Sequence, residues 1–362
     1  MDFLPWKDHK AYTLGAELEI RLHEARSMRL LNVSKEAHAA LPLEIQPFIH
    51  HEYLDSLLEL VTPVCTSPYE ARASLESLAS SIVKVGEKLG FVPATSGAHA
   101  LPSDGVRLAD DPRYATISRE YGILLQNFNI CGLHVHVALT SSDDALRAYN
   151  YMIEQLPVFM ALSANSAYFD GNDTGLLSYR PKIFEQLPRA GMPQYFDEYY
   201  EMGEVYDALY QAEIIESIKD IWWDLRINPD FGTLELRACD ASNDFLRHEL
   251  LMVLYQGMCM YAQVARPEFL YQQILLQNRW NALRHGLDGI FQNKNYIGTI
   301  KGYAKTMIDK MDKAGIFEAL GTRHSIDKLY QLLEHPTPAQ LQRQYFETNR
   351  CLAEVERRGI LK

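Results

Sequence analysis

Acidic, histidine and arginine side chains alternate with apolar residues in several short segments of this chain. Three pairs of polar residues are each separated by one apolar residue: Glu17 and Glu19, His134 and His136, and Glu235 and Arg237. Side chains at positions i and i+2 of a β-strand point to the same face of a sheet. Each pair is therefore predicted to lie on a polar sheet face, with its leucine, isoleucine and valine neighbours on the opposite face.

The same alternation predicts the strands that would carry these pairs. Five segments are predicted to be strands: residues 13–22, 57–64, 127–139, 222–228 and 233–239. The turn-rich tetrapeptide at 229–232 predicts a hairpin between the last two segments. If these strands are neighbours, one sheet face collects the three pairs together with Glu59.

This collection of carboxylates indicates a cation. Glutamate is mildly depleted in strands, and carboxylates that face each other on adjacent strands repel unless a positive charge lies between them. Carboxylate-rich ligand sets favour Mg²⁺ or Mn²⁺, and Mg²⁺ commonly bridges protein carboxylates and substrate phosphates, which points to a nucleotide. Two alternatives stay open at this stage: a solvated face of a half-buried sheet, and a zinc site that uses His134 and His136.

Helices are predicted between and after the strands, at residues 68–89, 141–164, 245–264, 267–285, 297–314 and 338–357. Strands joined as hairpins, followed by a helical C-terminal region, predict an antiparallel α+β fold with helices on the apolar face of the sheet. We predict a single catalytic domain over 1–362, with a sheet-forming part at about 10–240 and a helical part at about 243–362.

Composition excludes several classes of protein. The chain has 362 residues, with 35 Lys+Arg against 47 Asp+Glu and a net charge of −12, which disfavours nucleic acid as a partner. The sequence has no apolar run of about 18 residues and no signal-peptide pattern, so no membrane span or export is expected. Five scattered cysteines predict free thiols in the cytoplasm. Phosphate-loop, dinucleotide-binding and HExxH motifs are absent from the sequence.

An ordered series of motifs resembles the type 2 glutamate–cysteine ligase family, whose members are also described as carboxylate–amine ligases. Residues 13–19 (TLGAELE) resemble the G-x-E-x-E opening of the family, and residues 59–64 (ELVTPV) resemble its ELxTP strand. Further matches follow in the family's order: 96–99, 112–114, 131–137, 162–166, 171–175, 178–180, 188–191, 222–226, 233–237 and 278–286. Ala98, Ala100 and Ala138 depart from the usual family residues, which affects the expected shape of the substrate pocket.

The resemblance implies a glutamine-synthetase-like fold, with an antiparallel sheet lining a funnel for metal and ATP. It also implies that ATP phosphorylates the γ-carboxylate of glutamate and that an amine, with cysteine as the best candidate, attacks the acyl phosphate. The protein would then be a ligase of glutathione biosynthesis with ATP and Mg²⁺ or Mn²⁺. Three alternatives remain: a different acceptor amine, a metal-dependent amide hydrolase, and a non-catalytic nucleotide or metabolite sensor. Homo-oligomerisation stays open.

The resemblance also implies roles for individual residues. The positions that match the family's metal ligands are Glu17, Glu19, Glu59, His134 and Glu235. Arg237 matches an arginine that stabilises the transferring phosphoryl group, and Arg180 matches one near glutamate or the γ-phosphate. His136 and Arg284 lie in family motifs and are assigned to nucleotide binding.

Overall fold

An antiparallel sheet of seven strands organises the part of the chain that the computed structural model describes, residues 6, 7, 9–126 and 128–362. The strands of this sheet are β1 (Leu14–His23), β2 (Ile49–His51), β3 (Leu57–Val61), β4 (Val92–Ala94), β5 (Gly132–Ala138), β10 (Leu225–Asn228) and β11 (Thr233–Asp240). Short two-stranded pairs are formed by β6 (Tyr168–Phe169) with β7 (Asn172–Asp173), β8 (Ala190–Gly191) with β9 (Trp222–Trp223), and β12 (Ile290–Gln292) with β13 (Ile297–Thr299).

The strand order is β10-β11-β5-β1-β3-β2, and β4 also pairs with β1. This order makes neighbours of the strands that the sequence predicts to carry the polar pairs. Glu17 lies opposite His134, and Glu19 lies opposite Glu59. Glu235 lies opposite His136 on one side and opposite Arg226 on the other. The predicted collection of polar side chains on one sheet face therefore follows directly from the register.

Helices surround the sheet, and several of them cover its apolar face. They are α1 (Ser34–Ala39), α2 (Pro68–Leu89), α3 (Pro112–Tyr121), α4 (Ser142–Ile153), α5 (Leu156–Ser163), α6 (Arg180–Phe184), α7 (Tyr199–Gln211), α8 (Phe245–Tyr261), α9 (Gln272–His285), α10 (Ile300–Lys313), α11 (Ile316–Ala319), α12 (Ile326–Glu334), α13 (Pro338–Asn349) and α14 (Leu352–Arg357). Helices α2 and α8 pack on β1 and β5, whereas α4 and α5 pack on β10 and β11. Leu18, Val135 and Leu236 are fully buried beneath these helices, because the pleat turns them away from the polar face.

Helix α2 illustrates how local sequence sets the element boundaries. Ser67 accepts a hydrogen bond from the Glu70 N–H, and Pro68 occupies the first turn, where no N–H is needed. Gly90 ends the helix in a left-handed conformation with φ of 82°. The predicted boundaries, 68–89, are therefore confirmed.

Other predicted boundaries are wrong for identifiable reasons. The single helix predicted at 141–164 is broken between α4 and α5, because Pro157 in the first turn of α5 cannot donate a helical hydrogen bond. Residues 297–299 form strand β13 rather than the start of a helix. The segment 338–357 divides into α13 and α14 at Arg350, which has a positive φ of 51°.

The strand predictions also need correction. The predicted strand at 222–228 is interrupted at Asp224, so that β9 pairs in parallel with β8 while β10 pairs with β11. Residue 127, where the third predicted strand begins, lies outside the described residues, and β5 begins at Gly132. Within the described residues, no helix is both long enough and apolar enough to cross a membrane.

The burial of Glu154, between α4 and α5, predicts that the unfolding free energy of the protein depends on pH. The side chain is buried and accepts hydrogen bonds from the Tyr195 hydroxyl at 3.0 Å and the Phe269 N–H at 2.8 Å. Burial raises the pKa of Glu154 to about 7, so the folded state binds its proton more tightly than the unfolded chain does. Stability therefore falls as the pH rises from about 4.5 through about 7.

Glu154→Gln removes this titration and keeps an oxygen acceptor. We expect the unfolding free energy of the variant, relative to the unsubstituted protein, to rise between pH 5 and 8 by up to about 3 kcal/mol. Urea melts at several pH values measure it. Glu154→Ala should show the same dependence of unfolding free energy on pH, but with a lower unfolding free energy at every pH. The reason is that alanine leaves the Phe269 N–H without an acceptor. A difference that is constant with pH would contradict the prediction.

Candidate active site

The polar face of the sheet places two histidines on either side of one glutamate. Glu17 Oε2 lies 3.0 Å from His134 Nδ1, and Glu17 Oε1 lies 3.2 Å from His136 Nε2. His136 Nδ1 also lies 3.0 Å from the Thr233 hydroxyl. Burial opposes ionisation, but the two histidines hold the pKa of Glu17 well below its usual value. Glu17 is therefore a carboxylate held in place from both sides.

Glu235 is completely buried and belongs to an arginine cluster. Arg226 donates to its carboxylate from Nε at 2.8 Å and from Nη2 at 3.1 Å, and Arg237 forms a second ion pair with it. Although burial raises the pKa of Glu235, the two guanidinium groups outweigh that effect and lower it to about 2. The bidentate geometry fixes the planes of both charged groups. Glu235 is thus ionised and oriented.

In a second group of carboxylates, no arginine or lysine of the described residues forms an ion pair, although His50 Nδ1 lies 3.6 Å from Glu59 Oε2. Glu19, Glu52 and Glu59 each offer an oxygen within 4.8 Å of the others. Burial, followed by the charges of neighbouring glutamates, raises the pKa of Glu52 and of Glu59 well above the usual value. Charges of one sign this close are costly in a buried site. The group therefore fits a positive ligand.

The donor sets fit hard divalent ions. Besides the three carboxylates, two further groups have ligand atoms within 4.8 Å of one another: Glu17, Glu59 and His134 in one, and Glu17, His136 and Glu235 in the other. Oxygen-rich sets of this kind suit Mg²⁺ and Mn²⁺. Among the described residues, the two histidines fall in separate groups, which does not suit one zinc ion bound by both.

A cavity of about 400 Å³ opens over this face. Its floor includes Glu17, Glu59 and Arg237, while its far wall is aromatic and aliphatic. The aromatic members of that wall, several in edge-to-face contact, are Tyr53, Tyr114, Phe128, Phe184 and Trp222. A cavity of about 470 Å³ between α10, α12 and α13 is larger, but it shares no lining residue with the polar face.

A smaller cavity of about 210 Å³ continues along β1 toward its N-terminal end. Its lining is mostly apolar and includes Leu14, Val64 and Phe231. The two cavities share four lining residues: Glu17, Val61, His136 and Phe231. The apolar compartment and the aromatic one therefore adjoin at the polar face.

Comparison with known proteins assigns the family. The model of Glutamate-cysteine ligase family 2 matches residues 13–347. The chain belongs to this family. The resemblance of the sequence motifs is thereby confirmed, and glutamate–cysteine ligase family 2 is a family of ligases.

Relatives and solved structures agree with this assignment. A protein of Rubrobacter xylanophilus named "Putative glutamate--cysteine ligase 2-1" is 30% identical over 94% of this chain and 91% of its own length. A second protein of that organism, whose name ends in 2-3, is 35% identical over 76% of each chain.

Two solved structures share the fold. Francisella tularensis glutamate–cysteine ligase in complex with AMP has a TM-score of 0.71 at 14% identity, covering 98% of this chain and 89% of that one. A Pup–Pup ligase complex has a TM-score of 0.52 at 11% identity, covering 96% and 72%. At these identities the likeness shows the fold alone. The predicted α+β, glutamine-synthetase-like fold is confirmed.

In this member of glutamate–cysteine ligase family 2, Arg180 lies at the edge of the polar face, beside Gly132 and His134. It is almost fully buried, its Nη2 lies 3.2 Å from His134 Nε2, and its Nη1 donates to the Arg237 carbonyl at 2.9 Å. Its guanidinium fills the space where a Cβ on Gly132 would be. Arg180 therefore contacts the ligand group through His134 and does not line the main cavity.

Arg284 is the predicted residue that lies apart from the others. It is exposed at the end of α9, near Gly175 and Asp173, and it lines neither cavity. The remaining predicted residues, Glu17, Glu19, Glu59, His134, His136, Glu235 and Arg237, lie together on the polar face. The role assigned to Arg284 stays a prediction.

Sequence reasoning missed two polar residues of this family member's site. Arg226 could have been found, because a hairpin around the turn at 229–232 places it opposite Glu235. Glu52 follows the short edge strand β2, and only the pairing of β2 with β3 brings it to Glu59. Its sequence context carries no alternation that would signal a ligand.

Proposed function

We propose that the protein is an ATP-dependent carboxylate–amine ligase that forms an acyl phosphate on the γ-carboxylate of glutamate and transfers the acyl group to an amine, with cysteine as the first candidate. One observation carries the proposal: ionised and metal-suited carboxylates share one sheet face with Arg237 and Arg226, between an apolar and an aromatic cavity. The AMP complex of the Francisella protein and the family membership support it.

The reaction requires two anions to approach each other. A γ-carboxylate oxygen attacks the terminal phosphorus of ATP, the bond from that phosphorus to the bridging oxygen breaks, and ADP leaves. The amine nitrogen then attacks the acyl carbon, the C–N bond forms, the C–O bond to phosphate breaks, and the amine loses a proton. Mg²⁺ or Mn²⁺ held by Glu17, Glu19, Glu52, Glu59, His134 and Glu235 would neutralise phosphate charge.

Other side chains of the protein are suited to phosphoryl transfer and to nucleotide binding. Arg237 lines the main cavity and is oriented by Glu235, so its guanidinium is suited to the charge that develops on the transferring phosphoryl group. His136 and Glu17 lie at the junction of the cavities, where the phosphates would pass. The base of the nucleotide suits the apolar cavity beside Val64 and Phe231.

The aromatic cavity suits the carboxylic acid and amine substrates. Arg113 and Lys219 are the cations among its lining residues beyond the sheet, so they are suited to a substrate carboxylate. Arg180 would act indirectly, by holding His134, and Arg284 would act from the end of α9, beside residues 173–175. With cysteine as the amine, the product would be a dipeptide of glutathione biosynthesis. Four buried free thiols support a reducing, cytoplasmic location.

A screen of acceptor amines tests the proposal. Purified protein is incubated with Mg²⁺, ATP and glutamate, with and without each of a panel of amines, and ADP is measured. We expect amine-dependent ADP and a new amide product, with Glu235→Gln inactive. ADP formation that no amine stimulates would count against ligase activity, whereas stimulation by amines other than cysteine would replace the acceptor and keep the chemistry.

A further inference from the structure

A second cluster of potential metal ligands lies at the far end of β1, outside the active-site cavities. His23 ends strand β1, His99 lies in the loop after β4, and Glu356 is on α14. One ligand atom of each lies within 4.8 Å of those of the other two. All three residues are buried, with exposed fractions of 0%, 0% and 2%. The cluster thus joins three distant parts of the chain in the interior.

Each of these side chains has an unpartnered atom. His99 Nε2 lies 3.3 Å from the Met28 carbonyl oxygen, which can only accept, so the neutral ring carries its proton on Nε2 and its lone pair on Nδ1. Within the described residues, Nδ1 makes no hydrogen bond of regular geometry, although the backbone of Leu101 is close enough to act on the ring. Glu356 accepts the Ala100 N–H with Oε1, and its Oε2 makes no hydrogen bond to any other described residue.

His23 is the third residue of the cluster with unpartnered atoms among the described residues. The backbones of Arg21 and Val92 are close enough to act on its ring, but neither ring nitrogen makes a hydrogen bond of regular geometry. An unsatisfied buried polar group costs about 1–3 kcal/mol. The pattern in which one side of a histidine or carboxylate is fixed by backbone while the other side is open is typical of metal ligands, whose orientation is set by such outer contacts.

We infer that His23, His99 and Glu356 bind a divalent transition-metal ion of the zinc type in a buried site of three protein ligands, with water as the fourth ligand. Two imidazoles and one carboxylate are a common zinc set, whereas Mg²⁺ and Ca²⁺ prefer oxygen ligands throughout. Around a tetrahedral zinc ion with bonds of about 2.0–2.2 Å, the donor atoms lie about 3.4 Å apart. The three ligand atoms, which lie within 4.8 Å of one another, would therefore move somewhat closer together on binding. The site differs in ligand type and position from the carboxylate groups of the active site.

Arg21 is the charged group that opposes such an ion. Its guanidinium is buried, donates to the carbonyl and hydroxyl of Ser96, and lies 3.8 Å from Glu356 Oε2. The charge of Glu356 is therefore already offset by Arg21. The two imidazole nitrogens again favour a transition metal over a hard ion, and Glu356 supplies the third donor atom.

The position of Glu356 gives the site a structural consequence. The family match ends at residue 347, so this ligand comes from the segment that follows it. Backbone hydrogen bonds from Thr95 to Gly359 and from Leu361 to Pro93 join the same segment to β4. A metal bound here would fasten the C-terminal segment to β1, the strand that carries Glu17 and Glu19.

Metal analysis of the full chain tests the inference. The protein is produced with zinc in the medium, freed of any histidine tag, dialysed against a mild chelator and measured by mass spectrometry of the metals. We expect about one zinc per chain. Glu356→Gln should lower the zinc content roughly tenfold or more. The matched control Glu17→Gln, which alters the active-site face, should keep it.

X-ray absorption at the zinc edge of the unsubstituted protein gives a result that does not depend on how well a variant folds. Two imidazoles among nitrogen and oxygen neighbours are expected. Zinc below about a tenth of an equivalent per chain, zinc that Glu356→Gln retains, or zinc that Glu17→Gln loses would each overturn the site, and so would a sulfur ligand.

Discussion

Replacing Arg237 with alanine is expected to lower the rate of amine-dependent ADP formation by about 10³-fold, because it removes the cation suited to the transferring phosphoryl group. Little loss of stability should accompany this effect. Glu235 keeps both of its hydrogen bonds to Arg226, at 2.8 and 3.1 Å, so no buried charge is left without a partner. Single-turnover rates together with thermal melts separate the two effects.

Arg237→Lys and Arg147→Ala are the informative controls. Lysine retains the charge but not the planar fork, so it should recover only part of the lost rate. Arg147 is more than half exposed on α4, away from the cavity, and its removal should change neither quantity. An Arg237→Ala protein with an unchanged rate would refute the role, and one that loses rate only by unfolding would make Arg237 a structural residue.

Replacing Glu59 with glutamine is expected to have opposite effects on stability and on activity. Glu59 lies opposite Glu19 on the neighbouring strand and shares a half-buried group with Glu52, so loss of its charge relieves repulsion. Without metal, the variant should be more stable by about 0.5–2 kcal/mol, as is common when active-site strain is removed. The metal concentration that gives half-maximal activity should rise at least roughly tenfold.

Thermal melts with and without Mn²⁺ and ATP measure both the stability of the metal-free protein and the stability gained on binding. The unsubstituted protein should gain stability from metal and nucleotide by ligand linkage, and Glu59→Gln should gain less. Glu87→Gln, on the exposed face of α2, serves as the matched control and should behave like the unsubstituted protein. A variant that is less stable without metal and unchanged in its metal dependence would contradict the assignment of Glu59 as a ligand.

The sequence predicts the parts of this site that depend on contacts within a strand or a hairpin better than those that depend on distant segments. Alternation within a strand places Glu17 with Glu19 and His134 with His136, because the pleat fixes which side chains share a face. A tight hairpin fixes which residues of its two strands lie opposite each other, so the position of Arg226 can be predicted from that of Glu235.

Long-range pairing lies beyond such reasoning. Glu52 reaches the site only because the edge strand β2 pairs with β3, and Phe184 reaches the cavity wall from a segment without a periodic pattern. The helix break at Pro157 was readable in the sequence, because proline lacks the N–H that a continuous helix would need. The burial that raises the pKa of Glu154 and the arginine contacts that keep Glu235 ionised both depend on the packed structure.

The Arg180 side chain fills the space beside Gly132, although 47 residues lie between the two positions in the chain. A methyl group at position 132 would overlap the guanidinium, so any larger residue there requires a shorter one at 180. Across relatives, the two positions are therefore expected to covary, with arginine at 180 accompanied by glycine at 132. An alignment deep enough to measure such covariation would read this contact from sequence alone.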